Sequence, residues 1–250
     1  MGATAVVQAR LGSSRLPRKV LAPLAGRPML DWILERVGAA AGVGAVVVST
    51  SDAPGDDALA EHARALGHVA VRAPVDDIIG RLVAASRAAP STLVARVWGD
   101  CPFVDPRVVD RMLARSAAEG LDFLSNALPG TRTYPGGFDV EIYTSALLER
   151  MDAEVTEPFL REFPFDFVRA RATELRVGEE QLGRSRASLH FTVDYPEDLA
   201  AADALYRALP AGFSLDDVLA ACDADPRLAG AFSHQARNAD YAAKASARRP

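Results

Sequence analysis

Ala5-Val6-Val7-Gln8-Ala9-Arg10-Leu11-Gly12-Ser13-Ser14-Arg15-Leu16-Pro17-Arg18-Lys19 is the stretch whose reading decides the fold. An apolar run opens at Ala5 and passes directly into a loop of Gly, Ser, Arg and Lys. In an open α/β sheet, the loop after the first strand lies at the carboxyl edge, where ligands bind. Backbone N–H groups there wrap phosphate oxygens, and Arg and Lys add full charges. Gly12, Ser13 and Ser14 supply the compact turn, and Arg10, Arg15, Arg18 and Lys19 the charge. The first expectation is therefore a nucleoside triphosphate. The alternative is that the four cations form a solvated surface run.

Working outward, strand and helix patterns alternate. Met29 to Val37 has helical spacing, with Pro28 suited to its first turn. Ala45–Ser49, Val69–Val71 and Leu93–Val97 read as further strands. Ala58–Leu66, Ile78–Ala88 and Pro106–Ala118 read as the helices between and after them. Strands joined by helical crossovers give an α/β fold, a mostly parallel sheet with helices on both faces. Residues 126–142 are dense in Gly and Pro and read as a long functional loop. Residues 156–190 mix aromatics and charges, so a small protruding arm or lobe is expected over roughly 126–190. Leu189–Asp194 is predicted to return to the sheet as a strand, and Pro196 to open a helix to about Leu209. The main domain is thus assigned to residues 1–210, and residues 211–250 to a helical extension and tail. A helix is predicted over 214–222, and the tail after Ser233, ending in Arg248-Arg249-Pro250, is expected to be disordered.

Composition sets bounds. The chain has 250 residues, 49% of them apolar, enough for a large single core. Its net charge of −5 argues against wholesale nucleic-acid binding, so the basic loop is a local device for a small anion. Cys101 and Cys222 form no metal-ligand spacing and read as free thiols. No signal peptide is recognised, Met1-Gly2 lacks the myristoylation context, and Ala39–Val48 is too short and glycine-broken to span a bilayer. A cytoplasmic protein with no membrane partner is expected.

Two aspartates stand after apolar runs, Asp100 behind Val97-Trp98-Gly99 and Asp194 behind Phe191-Thr192-Val193. If both emerge at one sheet edge, they can hold Mg²⁺, which binds one or two protein oxygens together with phosphate oxygens. Each could equally cap the helix that follows it. The basic loop favours the metal, since triphosphate chemistry normally needs one. Of the histidines, His62, His68, His190 and His234, none is placed as a base, and His190 reads as structural. Trp32 and Trp98 read as core, while Tyr134 and Phe138 either line a pocket or anchor their loop.

The opening V-V-Q-A-R-L-G-S-S-R-L-P-x-K-V-L resembles the cytidylyltransferases of the spore coat polysaccharide biosynthesis protein F type, relatives of CMP-Kdo synthetase and acylneuraminate cytidylyltransferase. The likeness continues in order through S-T-S-D (49–52), D-D-I-I-G-R (76–81), W-G-D-C-P-F-V-D-P (98–106), R-T-Y-P-G-G-F-D-V-E (132–141) and T-V-D-Y-P-E-D (192–198). It covers about residues 5–205. The resemblance implies a Rossmann-like, GT-A-like nucleotidyltransferase that joins CMP from CTP to a sugar acid and releases pyrophosphate. It implies that Arg15 and Lys19 contact the triphosphate, with Gln8, Ala9, Arg10 and Gly12 at the nucleotide entrance and Asp52 and Arg81 in the nucleotide pocket. Asp100 and Asp194 would hold Mg²⁺, and Arg132, Tyr134, Asp139 and Glu141 would face the acceptor, with a site role raised for Arg161 as well. A homodimer is implied too.

Two departures stand out. The family loop usually reads R-L-P-G-K, and Arg18 replaces the glycine; Phe163 stands where T-x-P-x-x-R-E-H has histidine. Rival expectations are a nucleotide-sugar glycosyltransferase of the same fold class and a non-catalytic nucleotide-binding partner.

Overall fold

The computed structural model describes residues 2–232, Tyr241 and residues 244–246. Most of the expectation for a tail after Ser233, its Arg248–Pro250 end included, lies outside the described residues.

Strand β1 (Ala3–Gln8) is buried over nearly its whole length, as an apolar run without alternation requires when both sheet faces are covered. Its loop leads to a small hairpin of β2 (Pro23–Leu24) and β3 (Arg27–Pro28). Helix α1 (Met29–Gly38) follows, burying Met29, Leu30, Ile33, Leu34 and Val37. Then come β4 (Val43–Ser51), α2 (Asp57–Ala65), β5 (Val69–Ala73), α3 (Ile78–Ala88), β6 (Leu93–Trp98) and α4 (Pro106–Glu119). The second half supplies β7 (Phe123–Ser125), β8 (Val140–Thr144), α5 (Ser145–Glu154), α6 (Pro158–Glu162), α7 (Pro164–Ala170), β9 (Val177–Glu179), α8 (Pro196–Ala208), α9 (Leu215–Ala224) and α10 (Pro226–Gly230).

One seven-stranded sheet runs β5-β4-β1-β6-β8-β7-β9. Its pairings are parallel except where β8 meets β6 and β7, so β8 alone is reversed. Gln8 aligns with Ser49 on one side and Trp98 on the other. The carboxyl ends of three central strands therefore lie level, and their loops open on one edge. Val6 and Val7 fall in separate buried clusters, as a period of two demands: Val7 among α1, α4, α8 and α9, Val6 among α3, α5 and α7.

Two expectations need revision here. Residues 126–190 are not wholly an arm, because β8 and β9 belong to the main sheet. Leu189–Asp194 is no strand: it makes one isolated bridge, His190 with Gly136, and crosses the edge of the sheet. Its backbone bonds to two loops instead, Phe191 N–H to Gly136 O (2.8 Å) and Val193 N–H to Asp100 O (2.9 Å). The residues beyond 210 are also integral, since Phe213, Leu215, Val218, Cys222 and Phe232 are buried in the larger core. No helix among the described residues is long and apolar enough to cross a membrane.

Candidate active site

The loop after β1 is held from below by a residue that the sequence did not single out. Asp56 is buried and accepts the Leu11 N–H (2.6 Å) and the Ser51 N–H (3.2 Å), together with the Ser51 hydroxyl. Burial alone would raise its carboxyl, yet the bonds from Ser51 and Leu11 hold it below the usual carboxylate value. The loop closes on itself through Arg18 N–H to Leu11 O (3.0 Å) and Leu16 N–H to Ser13 Oγ (3.3 Å). Arg18 sits at φ 58°, ψ 23°, in the left-handed region where a side chain is strained. That is why glycine suits this position. The side chain space around Gly12 is open, leaving its backbone approachable. Gly99 is different: a Cβ there would lie 2.8 Å from Ala9 Cβ, so only glycine lets the second loop pass the first.

Lys19 turns inward from this loop. Its ammonium donates to Asp194 Oδ1 (2.9 Å) and Asp100 Oδ2 (3.0 Å), and Arg15 reaches Asp194 Oδ1 at 2.7 Å. Burial would lower the Lys19 pKa, but Asp100 and Asp194 raise it. The two carboxylates thus converge on one cation although 94 residues separate them in the chain, from position 100 to position 194. Helix capping is done by other acids. Asp105 accepts the Arg107 N–H (2.9 Å) to start α4, and Asp198 accepts the Asp194 and Tyr195 N–H groups (2.9 and 3.0 Å) to start α8.

A cleft of about 530 Å³ opens beside this cluster. Gln8, Ala9, Arg10, Gly12, Ser13, Ser14, Arg15 and Lys19 line it, as do Arg81, Asp100, Arg132, Asp139, Glu141 and Asp194. Arg81 is 2% exposed and bonds to the Ser49 carbonyl at 2.6 Å. Burial, with Arg96 and Arg10 nearby, pushes its pKa down to about 10. Its other nitrogens donate to Ser49 Oγ and the Val75 carbonyl, and no carboxylate forms a salt bridge with it among the described residues. Glu141 is committed to Arg96 (2.9 Å) and accepts the Tyr143 hydroxyl (2.7 Å). Arg132 is tied to Asp139 and to the carbonyls of Tyr134 (2.9 Å) and Pro135 (3.1 Å), so this pair shapes the Gly-Pro loop as well as the cleft wall. Burial raises the Asp139 carboxyl despite Arg132.

Three expected site residues fall elsewhere. Asp52 is exposed and outside the cleft wall, a turn away from the Asp56 that does the anchoring. Tyr134 is fully buried with its hydroxyl on Arg111, so it anchors its loop. Arg161 is a brace between helices, bidentate to Asp77 (2.7 and 3.0 Å) and bonded to Asp152 (2.8 Å). Conversely, Trp98 lines the cleft with the Arg96 guanidinium 4.4 Å from its ring centroid, and His190 lines it too. Arg96 was legible as a lone charge inside the apolar run Leu93–Trp98. Asp166 and Tyr241 also line the cleft and carried no sequence signal.

The donor set suits a hard divalent cation. Two carboxylates already share one positive charge within 3.0 Å, and oxygen ligands are what Mg²⁺ takes. Among the described residues no group of three or more His, Cys, Asp or Glu could hold a metal, so water and phosphate oxygens would complete the shell. A smaller pocket, about 330 Å³, has one carboxylate, Asp223, already engaged by Arg186 at 2.7 Å.

The family's profile, described as cytidylyltransferase, matches residues 4–221. This chain belongs to the cytidylyltransferase family. The spore coat polysaccharide biosynthesis protein SpsF of Bacillus subtilis is 31% identical over 211 residues, 81% of this chain and 85% of that protein. A solved cytidylyltransferase from Leptospira borgpetersenii is 27% identical, with a TM-score of 0.86 over 94% of this chain and all of that one. A CMP:2-keto-3-deoxy-manno-octonic acid synthetase solved with CTP shares the fold, at TM-score 0.64 and 21% identity over 83% of this chain and 99% of that one. This cytidylyltransferase is accordingly a CTP-dependent nucleotidyltransferase with an α/β, mostly parallel sheet. That assignment sets aside both the glycosyltransferase and the non-catalytic reading.

Proposed function

We infer that the protein transfers CMP from CTP to a small acidic acceptor, of the sugar-acid class, with Mg²⁺ held by Asp100 and Asp194. One observation carries this: Lys19 joins those two carboxylates at the edge of a cleft lined by Arg10, Arg15, Arg81, Arg96 and Arg132. An acceptor oxygen forms a bond to the α-phosphorus while the bond to the bridging oxygen of pyrophosphate breaks. The acceptor hydroxyl releases its proton to water, and pyrophosphate takes the electron pair of the broken bond. Much of the barrier is the repulsion and ordering of two anions, which fixed cations lower. Arg15 and Lys19 neutralise the leaving pyrophosphate. Open backbone at Gly12 admits phosphate oxygens, and Arg81 adds positive charge to the cleft wall. Bound Mg²⁺ would polarise the phosphoryl oxygens and lower the pKa of the acceptor hydroxyl, so no side-chain base is required.

Pyrophosphate release from each of four nucleoside triphosphates, with and without Mg²⁺ and across a set of acids, tests this. CTP with Mg²⁺ and an acid is expected to be the productive combination. Asp100→Asn is expected to lose on the order of 10²–10³ in turnover with its melting curve intact. An unchanged release rate in that variant removes Asp100 from the machinery.

A further inference from the structure

Two sets of polar side chains meet at the end of β1. Gln8 follows Val6 by two residues, Arg96 follows Val94 by two, and Glu141 precedes Tyr143 by two, so all three stand on the sheet face that carries Val6, Val94 and Tyr143. Val20 and Val193, next to Lys19 and Asp194, belong to the cluster on the opposite face. The Lys19 cluster and the Gln8 row thus approach the end of β1 from opposite faces, and both line the one cleft.

The Gln8 row is closed in charge but open in direction. Arg96 donates to Glu141 Oε2 (2.9 Å), its register partner on β8, and the Tyr143 hydroxyl donates to the same oxygen (2.7 Å). The pair cancels its own charge, so this floor suits a neutral group better than an anion. Arg96 also donates its Nε–H to Gln8 Oε1 at 2.8 Å. An arginine has no acceptor, so the Gln8 amide cannot turn over: its oxygen is held on Arg96 and its NH2 is held away. Among the described residues nothing accepts from that NH2, and it is not shut off from solvent; it opens on the cleft that Gln8 lines. Trp98, the register partner of Gln8 on β6, lines the same cleft, with the Arg96 guanidinium over its ring. An aromatic ring beside a fixed donor suits a planar base that stacks and offers an acceptor at its edge.

We propose that Gln8 reads the cytosine ring: its locked NH2 donates to N3, and Arg96, tied to Glu141, is the positioning residue that fixes it. This deepens the CTP-dependent transfer inferred above and rests on it. Cytosine N3 is an acceptor, whereas uracil carries a hydrogen there. In UTP that N3–H would meet the Gln8 NH2 donor to donor, and Arg96 blocks the turn of the amide that would relieve the clash. Selection for cytosine then comes from a repulsion built into the site as well as from a bond.

Calorimetric binding of CTP, UTP and 3-deaza-CTP as their magnesium complexes tests this without any acceptor; the deaza compound has carbon in place of N3. The wild type is expected to bind CTP at least about tenfold tighter than either of the others. Gln8→Met removes the donor and is expected to make CTP and 3-deaza-CTP nearly equal. Gln8→Glu keeps an acceptor for Arg96 but turns an oxygen toward the base, and is expected to move the CTP-to-UTP ratio at least about tenfold toward UTP. Arg96→Met combined with Glu141→Gln frees the amide without stranding a buried charge, and is expected to lose the preference for CTP although Gln8 is still present. A merely structural role would weaken all three nucleotides alike and leave their ratios in place. Ratios unmoved in both Gln8 variants, or equal wild-type affinity for CTP and 3-deaza-CTP, overturn the proposal and leave CMP transfer standing. A wild type that binds no CTP overturns both.

Discussion

Arg18 is the clearest case of one residue held against its own preference. Its left-handed backbone costs about 1–2 kcal/mol that glycine would not incur. Arg18→Gly is expected to recover about 1 kcal/mol, a rise in melting temperature of about 2–4 °C by calorimetry. Asp56 makes a second residue-scale prediction. Its folded pKa lies below the ordinary value of about 4, so its stabilisation is complete above that pH and is lost as pH falls through the folded pKa. The stability gap between the wild type and Asp56→Ala, read from urea unfolding, should be about 1–3 kcal/mol near pH 7 and shrink in acid. The Arg18 departure could be seen in the sequence, because the motif around it fixes where a glycine belongs. Asp56 could not: its partners are a strand end and a loop brought together by the parallel register, and an Asp just before a helix looks like any cap.

At the scale of elements, the site depends on how closely two strand-end loops can pass. Gly99→Ala would force a methyl to within 2.8 Å of Ala9 Cβ and 3.0 Å of the Gln8 carbonyl. The expected cost is about 1–3 kcal/mol, with turnover falling more than stability because the Asp100 loop must shift. Phe103, behind that loop, has Tyr206, Phe191 and Phe213 at centroid distances of 5.0, 5.8 and 5.9 Å. Phe103→Ala should cost about 3–5 kcal/mol in denaturant unfolding. Elements with strong periodicity, such as α1 and the β1–β6 series, were readable because their pattern is local. Leu189–Asp194 was misread because alternation reports which side chains are buried, not whether a neighbouring strand is there to pair with.

For the whole molecule, the layered α/β plan followed from alternating patterns, whereas the boundary at residue 210 did not. Phe213, Leu215, Val218 and Phe232 complete a core whose other members come from α1, α4 and α8. Burial of each such side chain contributes about 1.5–3 kcal/mol, so their joint loss rivals a domain's total stability. A chain ending at Pro210 is expected to show no cooperative thermal transition by circular dichroism. One wall of the cleft was equally hidden, since Tyr241 lines it from far along the chain. The ammonium that Asp100 and Asp194 share has a thermodynamic corollary. An incoming polyphosphate competes with those acids for it, so a nucleotide that draws it away leaves the acids short of counter-charge unless another cation arrives in exchange. On the proposed function, nucleotide and divalent ion are expected to tighten one another's dissociation constants by the same factor, a reciprocity that calorimetric titration in either order can measure and that Lys19→Met should diminish.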